Sequence, residues 1–149
     1  MNKENQNVIT AIENALTDIA KACDMVTQTI KNGGRVFYIG AGTSGRLGVC
    51  DAAECPPTFG VPQDLFNGII AGGTDCMFKA AEDAEDSAAL CVNDLKAHNL
   101  SENDIVIGIS ASGSAEYVVS GILYAKSINA KTVSVSNNPD TYLGDKADV

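Results

Sequence analysis

The chain has no tryptophan, a single histidine (His98), and no apolar run long enough to cross a bilayer. It is also poor in positive charge, with 10 Lys and Arg against 19 Asp and Glu, a net charge of −9 and a pI of about 4.4. Such a surface repels nucleic acid and anionic lipid, so neither is expected as a partner. The five cysteines (Cys23, Cys50, Cys55, Cys76 and Cys91) are odd in number and form no C-x-x-C pair. With one histidine beside them, a zinc site has few ligands to draw on. The thiols read as reduced, core or helix-face residues of a cytoplasmic protein. Cys55, flanked by acids, has the neighbours that would set a reactive thiol apart. The opening "MNKENQN" is polar, and no leader is expected there.

What is present is ordinary for one domain with a real core: 149 residues, 45% hydrophobic and 19% charged. Val8, Ile12, Leu16, Ile19, Cys23, Val26 and Ile30 recur at three- and four-residue spacings, which predicts a helix ended by Gly33-Gly34. "VFYIG", "FNGIIAGG", "DIVIGIS" and "KTVSVS" read as short apolar strands. Between them, "SGRLGVCDAAEC" predicts a helix stopped by Pro56-Pro57. "DCMFKAAEDAEDSAALCVNDLKAHNL" predicts a helix in two pieces with a break near Ala84 to Asp86, and "AEYVVSGILYAKSIN" predicts a third, with Val118, Ile122 and Ala125 on its apolar side. Alternating strands and helices argue for a parallel sheet covered on both faces. The closing "ADV" resembles the entry to one more strand. Val149 is therefore expected to be a boundary inside a longer protein.

Two glycine loops follow strands in this pattern. "VFYIGAGTSGR" and "IVIGISASGSA" each pass from an apolar strand through small polar residues and Ser-Gly into a helix. The first satisfies G-x-G-x-x-G, the fingerprint of a dinucleotide turn. That use needs an acidic residue about 20 positions on, at the end of the next strand, to hold the ribose. Here the strand ends "IIAGG", and the loop carries Thr43, Ser44 and Arg46 instead of small apolar residues. Ser-Gly turns also occur as simple punctuation. Two of them at equivalent places in one sheet favour a phosphate monoester. Its candidate ligands are Gly42, Thr43, Ser44 and Arg46 from the first loop, and Ser110, Ser112, Gly113 and Ser114 from the second.

Asp51 and Glu54 fall at i and i+3 on one helix face. They follow the first loop closely, about two turns on, so Glu54 is expected to point toward the same crevice. Glu82, Asp83, Glu85 and Asp86 read, from composition alone, as a solvated acidic face. His98 reads as a surface residue.

At "YIGAGTSGRLGVCDAAECPPTFG" the chain resembles the N-acetylmuramic acid 6-phosphate etherase family, built on a sugar-isomerase (SIS) phosphosugar-binding domain. It departs from that motif only at Ala53. "IIAGG", "AEDAEDS", "NDLK", "DIVIGISASG", "YV" and "YAK" continue the likeness over nearly the whole chain. The motif also occurs in the related glucokinase regulatory protein, a sensor of phosphosugars. The resemblance implies a three-layer α/β/α SIS fold, flavodoxin-like, with residues 1–34 as an N-terminal helix packing on the domain and 35–149 as an incomplete SIS domain. It implies cleavage of the D-lactyl ether of a phosphorylated amino sugar, in cell-wall sugar recycling, by a homodimer using no metal or organic cofactor. It assigns Glu54, in "ECPP", as proton donor to the leaving lactate, and Glu85, in the second "AED", as the other acid-base group.

Three departures bear on that expectation. Where the family reads "SGRTPYV", this chain has Ser114, Ala115 and Glu116. A threonine hydroxyl is lost at Ala115, a donor worth roughly 1.5–3 kcal/mol when it bonds a charged group. "SNNPD" replaces "SCNP", and family members are longer than this chain. A non-catalytic phosphosugar-binding module and a phosphosugar isomerase therefore stand beside the lyase as alternatives.

Overall fold

Four parallel strands form the centre of the computed structural model, which describes residues 2–149. They are β1 (Val36–Gly40), β2 (Phe66–Ile70), β3 (Ile105–Ile109) and β4 (Lys131–Val135), in the order β2-β1-β3-β4. β1 and β3 are largely apolar five-residue runs, the composition of central strands buried on both faces, while the outer β2 and β4 carry Asn67, Lys131, Thr132 and Ser134. Register is continuous: Val36 lies opposite Phe66 on one side and Ile105 on the other, and Ile105 lies opposite Lys131.

Alternate side chains feed the two faces. Phe37, Ile39 and Val106 pack with Cys91, Leu95, Val118 and Ile122 from α3 (Ala88–Ala97) and α4 (Glu116–Ser127). Val36, Tyr38, Ile105, Ile107 and Val133 pack with Ala22, Met25, Val26 and Ile30 of α1 (Asn2–Lys31). Gly48 of α2 (Gly42–Phe59) joins the second face, where a Cβ would come within 2.7 Å of the Tyr38 Cβ. The result is the three-layer α/β/α architecture expected. The last turns of α1 pack on the sheet. Val8, Ile9, Ile12, Leu16 and Ile19 of its first turns stand about half exposed.

A buried ion pair ties the strand starts together. Asp104 accepts from the backbone N–H of Arg35 at 2.8 Å and from its guanidinium at 2.9 and 3.3 Å. Ser101 adds its N–H and hydroxyl.

Two expectations need correction. α2 runs through Pro56 and Pro57 and ends at Phe59, where left-handed Gly60 (φ 67°) donates to the Pro56 carbonyl. The two prolines each forfeit one helical hydrogen bond, and the glycine rather than the ring ends the helix. The segment after β2 is not a two-piece helix. It forms short 3₁₀ turns at Thr74–Met77 and Glu82–Ala84, and the helix begins only at Ala88. The carbonyls that a helix would use internally are taken by Arg46, as described below. After α5 (Tyr142–Lys146), the chain turns back along β4: Asp148 N–H donates to the Thr132 carbonyl, and Ser134 N–H donates to that of Val149.

Candidate functional site

In the order β2-β1-β3-β4 the connections that leave the parallel strands β1 and β3 run in opposite directions: α2 leaves β1 toward one face, and α4 leaves β3 toward the other. Ligands of open parallel sheets sit at the carboxyl ends of the strands where this reversal occurs. Both glycine loops are there.

The first loop is tighter than its sequence suggests. β1 ends at Gly40, Ala41 caps the helix without a side-chain hydrogen bond, and α2 begins at Gly42. Gly40 and Gly45 lie against one another, and a Cβ on Gly45 would sit 2.5 Å from the Gly40 carbonyl oxygen. Gly42 has φ +53° and open space beside it, so its backbone can meet a ligand. Thr43 is exposed and Ser44 half-buried, both in the first turn of α2, which carries no acidic residue. The uncapped N–H groups and the positive end of the helix dipole therefore face the crevice unneutralised.

The second loop is held by its own side chains. Buried Ser110 accepts from Gly113 N–H at its hydroxyl, 3.2 Å. The hydroxyls of Ser112 and Ser114 lie 2.9 Å apart, both exposed. Gly113 (φ +71°) backs onto Thr141, whose atoms fill the space a Cβ would need, and its carbonyl accepts from Leu143 N–H at 2.9 Å. Ala115 caps α4 with no hydroxyl.

A crevice of about 110 Å³ opens at the start of α2, lined by Gly42, Arg46, Ala71, Cys76, Lys79 and Glu85, among others. Glu85 reaches it because its carbonyl accepts from Tyr117 N–H at the start of α4, 2.9 Å away. Tyr117 is itself buried, and its hydroxyl donates to Asp94 of α3 at 2.6 Å. Arg46 shares the crevice, but its guanidinium is already engaged. Nε donates to the Met77 carbonyl at 3.0 Å, and Nη2 donates to those of Cys76 and Lys79 at 2.7 and 3.2 Å. Lys79 is a residue that sequence reasoning missed. Its contact with this region depends on a fold-back that brings it to Arg46, 33 residues earlier in the chain.

Glu54 lies elsewhere. Twelve residues separate it from Gly42, which along a helix is about 18 Å. Its carboxylate is exposed near the end of α2, accepting from the Thr58 hydroxyl at 2.5 Å. Within one chain it does not share the crevice that Glu85 lines. A second, open cavity of about 440 Å³ runs along that half of α2, between Val49, Ala53, Pro56 and Pro57 and the first residues of β2. Cys55 is buried, and burial, followed by the charges of Asp51 and Glu54, pushes its thiol up, the opposite of a reactive cysteine. His98 is exposed at the end of α3. Among the described residues, no three His, Cys, Asp or Glu side chains converge as metal ligands, and no helix is long and apolar enough to cross a membrane.

Comparison with known proteins bears on the family and the fold. Residues 18–126 match the model of the glucokinase regulatory protein N-terminal SIS domain. The whole chain is 54% identical to an N-acetylmuramic acid 6-phosphate etherase of Clostridium botulinum (strain Okra / Type B1), covering 49% of that protein. It is likewise 54% identical over 147 residues to one from Clostridium beijerinckii, covering 48% of it. The chain thus spans about half the length of the curated relatives it matches. A phosphoheptose isomerase from Francisella tularensis superposes on 97% of the chain and 74% of its own, with TM-score 0.71 at 19% identity. At that identity the likeness concerns the fold.

Proposed function

We infer that this chain, which belongs to the glucokinase regulatory protein N-terminal SIS domain family, is the phosphosugar-binding, catalytic half of an N-acetylmuramic acid 6-phosphate etherase. The observation that carries the reading is Glu85 in the wall of the crevice at the start of α2, which Gly42, Arg46 and Lys79 also line. The names of the 54%-identical relatives support the substrate.

The chemistry asks for an anion holder and two carboxylates. The ring opens to the aldehyde, which acidifies the proton on C2. A base takes that proton, the C3–O bond breaks as the lactyl oxygen is protonated, and a C2=C3 double bond forms. Water then adds its oxygen to C3 and a proton to C2, leaving N-acetylglucosamine 6-phosphate and D-lactate. Two positioned carboxylates can carry every proton transfer in this sequence. The exposed hydroxyls of Ser112 and Ser114 supply donors for the phosphate, and Gly113, whose N–H is given to Ser110, sets the shape of the loop that presents them. Thr43, Ser44 and the N–H groups of Gly42 and its neighbours supply donors at the second anionic position.

Glu54, as the donor to lactate, acts in this reading from a second copy of the chain. Its distance along α2 keeps it out of its own crevice, and its exposure at the end of the helix leaves it free to enter another. A homodimer follows from the same argument. The open cavity beside Pro56 and Pro57 is where the neighbouring copy would approach.

A second reading, a binding module without turnover, is favoured by Ala115, which caps α4 with no hydroxyl where a phosphate ligand is expected. One assay separates the two. Incubation with N-acetylmuramic acid 6-phosphate releases D-lactate on the lyase reading, and Glu54→Gln or Glu85→Gln abolishes release while binding persists. Saturable binding of N-acetylglucosamine 6-phosphate with no lactate release would leave only the module.

A further inference from the structure

We propose that Lys79 is the specificity-determining cation of the crevice, recognising the carboxylate of the substrate's lactyl ether, while Arg46 serves as the strap that positions it. The proposal rests on the lyase reading above and assigns the substrate's two anionic groups to different parts of the site.

Two residues that carry cationic side chains line the crevice, Arg46 and Lys79. Three backbone carbonyls, those of Cys76, Met77 and Lys79, already accept from the Arg46 guanidinium. A guanidinium so engaged is a scaffold. Breaking those bonds for a ligand would leave three carbonyls to find new donors. The strap it fixes ends at Lys79. That residue is exposed and, among the described residues, makes none of the ion pairs that occupy Lys21, Arg35 and Lys126. Most cations among the described residues make no ion pair, so it is the place of Lys79 in the same crevice as Glu85 that needs a reason.

Size and chemistry supply one. The crevice, at about 110 Å³, is well under the roughly 300 Å³ at which pockets for whole small molecules begin. It admits one group of the substrate. Glu85 lines it and works at C2 and C3, in whichever direction it moves a proton. C2 carries the neutral acetamido group, and the anionic group nearest those carbons is the carboxylate of the lactyl ether on C3. The phosphate on C6 lies at the other end of the sugar and falls to the second loop, where Ser112 and Ser114 stand exposed. An ammonium is suited to the carboxylate, whose charge must be compensated as lactate departs.

The test is a calorimetric titration of two ligands, N-acetylmuramic acid 6-phosphate and N-acetylglucosamine 6-phosphate, against the full chain. Glu54→Gln is carried throughout so that ligand is not consumed, and circular dichroism checks each variant's fold. Lys79→Met should weaken the first ligand about ten-fold or more, as expected for loss of a charge-assisted contact, and leave the second unchanged. Lys79→Arg should restore most of the difference. Arg46→Met should behave like Lys79→Met, since it frees the strap. Equal weakening of both ligands by Lys79→Met would show that Lys79 reads the phosphate, and no change would show that it reads neither. Either result overturns the assignment while the lyase reading stands. A parent protein that binds neither ligand overturns both.

Discussion

The backbone N–H of Tyr117 donates to the carbonyl of Glu85 across 2.9 Å. This bond joins the start of α4, which carries the second glycine loop, to the loop that carries a candidate acid-base group. The Tyr117 hydroxyl extends the link to Asp94 of α3 at 2.6 Å. Burial, then the neighbouring Cys91 and Asp94, raise the phenol far above its ordinary value, so it stays a donor at any working pH. One residue thus ties the helix that follows the second glycine loop to the segment that holds Glu85.

Tyr117→Phe keeps the ring and the backbone bond but leaves Asp94 without its donor. The expected cost is about 1–2 kcal/mol, since the bond is to a half-exposed carboxylate. In a chain of this size that lowers the melting midpoint by roughly 2–8 °C. Differential scanning calorimetry of the two proteins checks it. An unchanged midpoint would mean the hydroxyl is not structurally engaged.

Asp104 makes stability depend on acid pH. Burial pushes its carboxyl up, but the Arg35 guanidinium and N–H and the Ser101 N–H and hydroxyl outweigh that and hold it below the usual range. A depressed folded value means the contribution is complete above the unfolded value, near about 4. It is lost as pH falls through the folded value. Urea midpoints should therefore fall below pH 4. Asp104→Asn should cost about 2 kcal/mol at neutral pH and flatten that part of the profile.

Gly45→Ala tests the tight first loop. The added methyl would sit 2.5 Å from the Gly40 carbonyl oxygen and 2.7 Å from an Ile70 side-chain carbon. Backbone cannot yield as a flexible side chain does, so α2 must move off β1. Destabilisation of about 2 kcal/mol or more is expected, with loss of sugar-phosphate binding. Denaturant unfolding and a ligand titration report the two effects separately.

Ala115→Ser restores a hydroxyl at the cap of α4. Its oxygen can accept from an N–H of the first turn, worth about 0.5–1 kcal/mol. A higher melting midpoint and tighter phosphate binding should appear together. Stabilisation without tighter binding would separate capping from ligand contact.

Much of this architecture was legible in the sequence because its signals are local. β1 and β3 are five-residue runs of largely apolar residues, and α1 shows its face by spacing. The errors came where distant contacts decide. Residues 74–87 have a helix-like composition, yet Arg46, about thirty residues earlier, takes the carbonyls of Cys76, Met77 and Lys79. That contact also explains why Lys79 went unseen. The prolines of α2 misled differently, since a helix can tolerate two lost bonds near its end when Gly60 offers a proper stop. Glu54 looked close to the glycine loop in sequence, but a helix advances about 1.5 Å per residue, and twelve residues carry it out of reach.

The central claim is that the carboxyl ends of β1 and β3 hold one sugar phosphate between both glycine loops. Titration of the ¹⁵N-labelled Glu54→Gln chain with N-acetylmuramic acid 6-phosphate, followed by amide NMR shifts, tests it most directly. The account predicts saturable shifts with one common dissociation constant at Gly42 to Gly45 and at Gly113 to Tyr117. Saturable shifts confined to the cavity around Pro56, Phe66 and His98, or none at either loop, would contradict it.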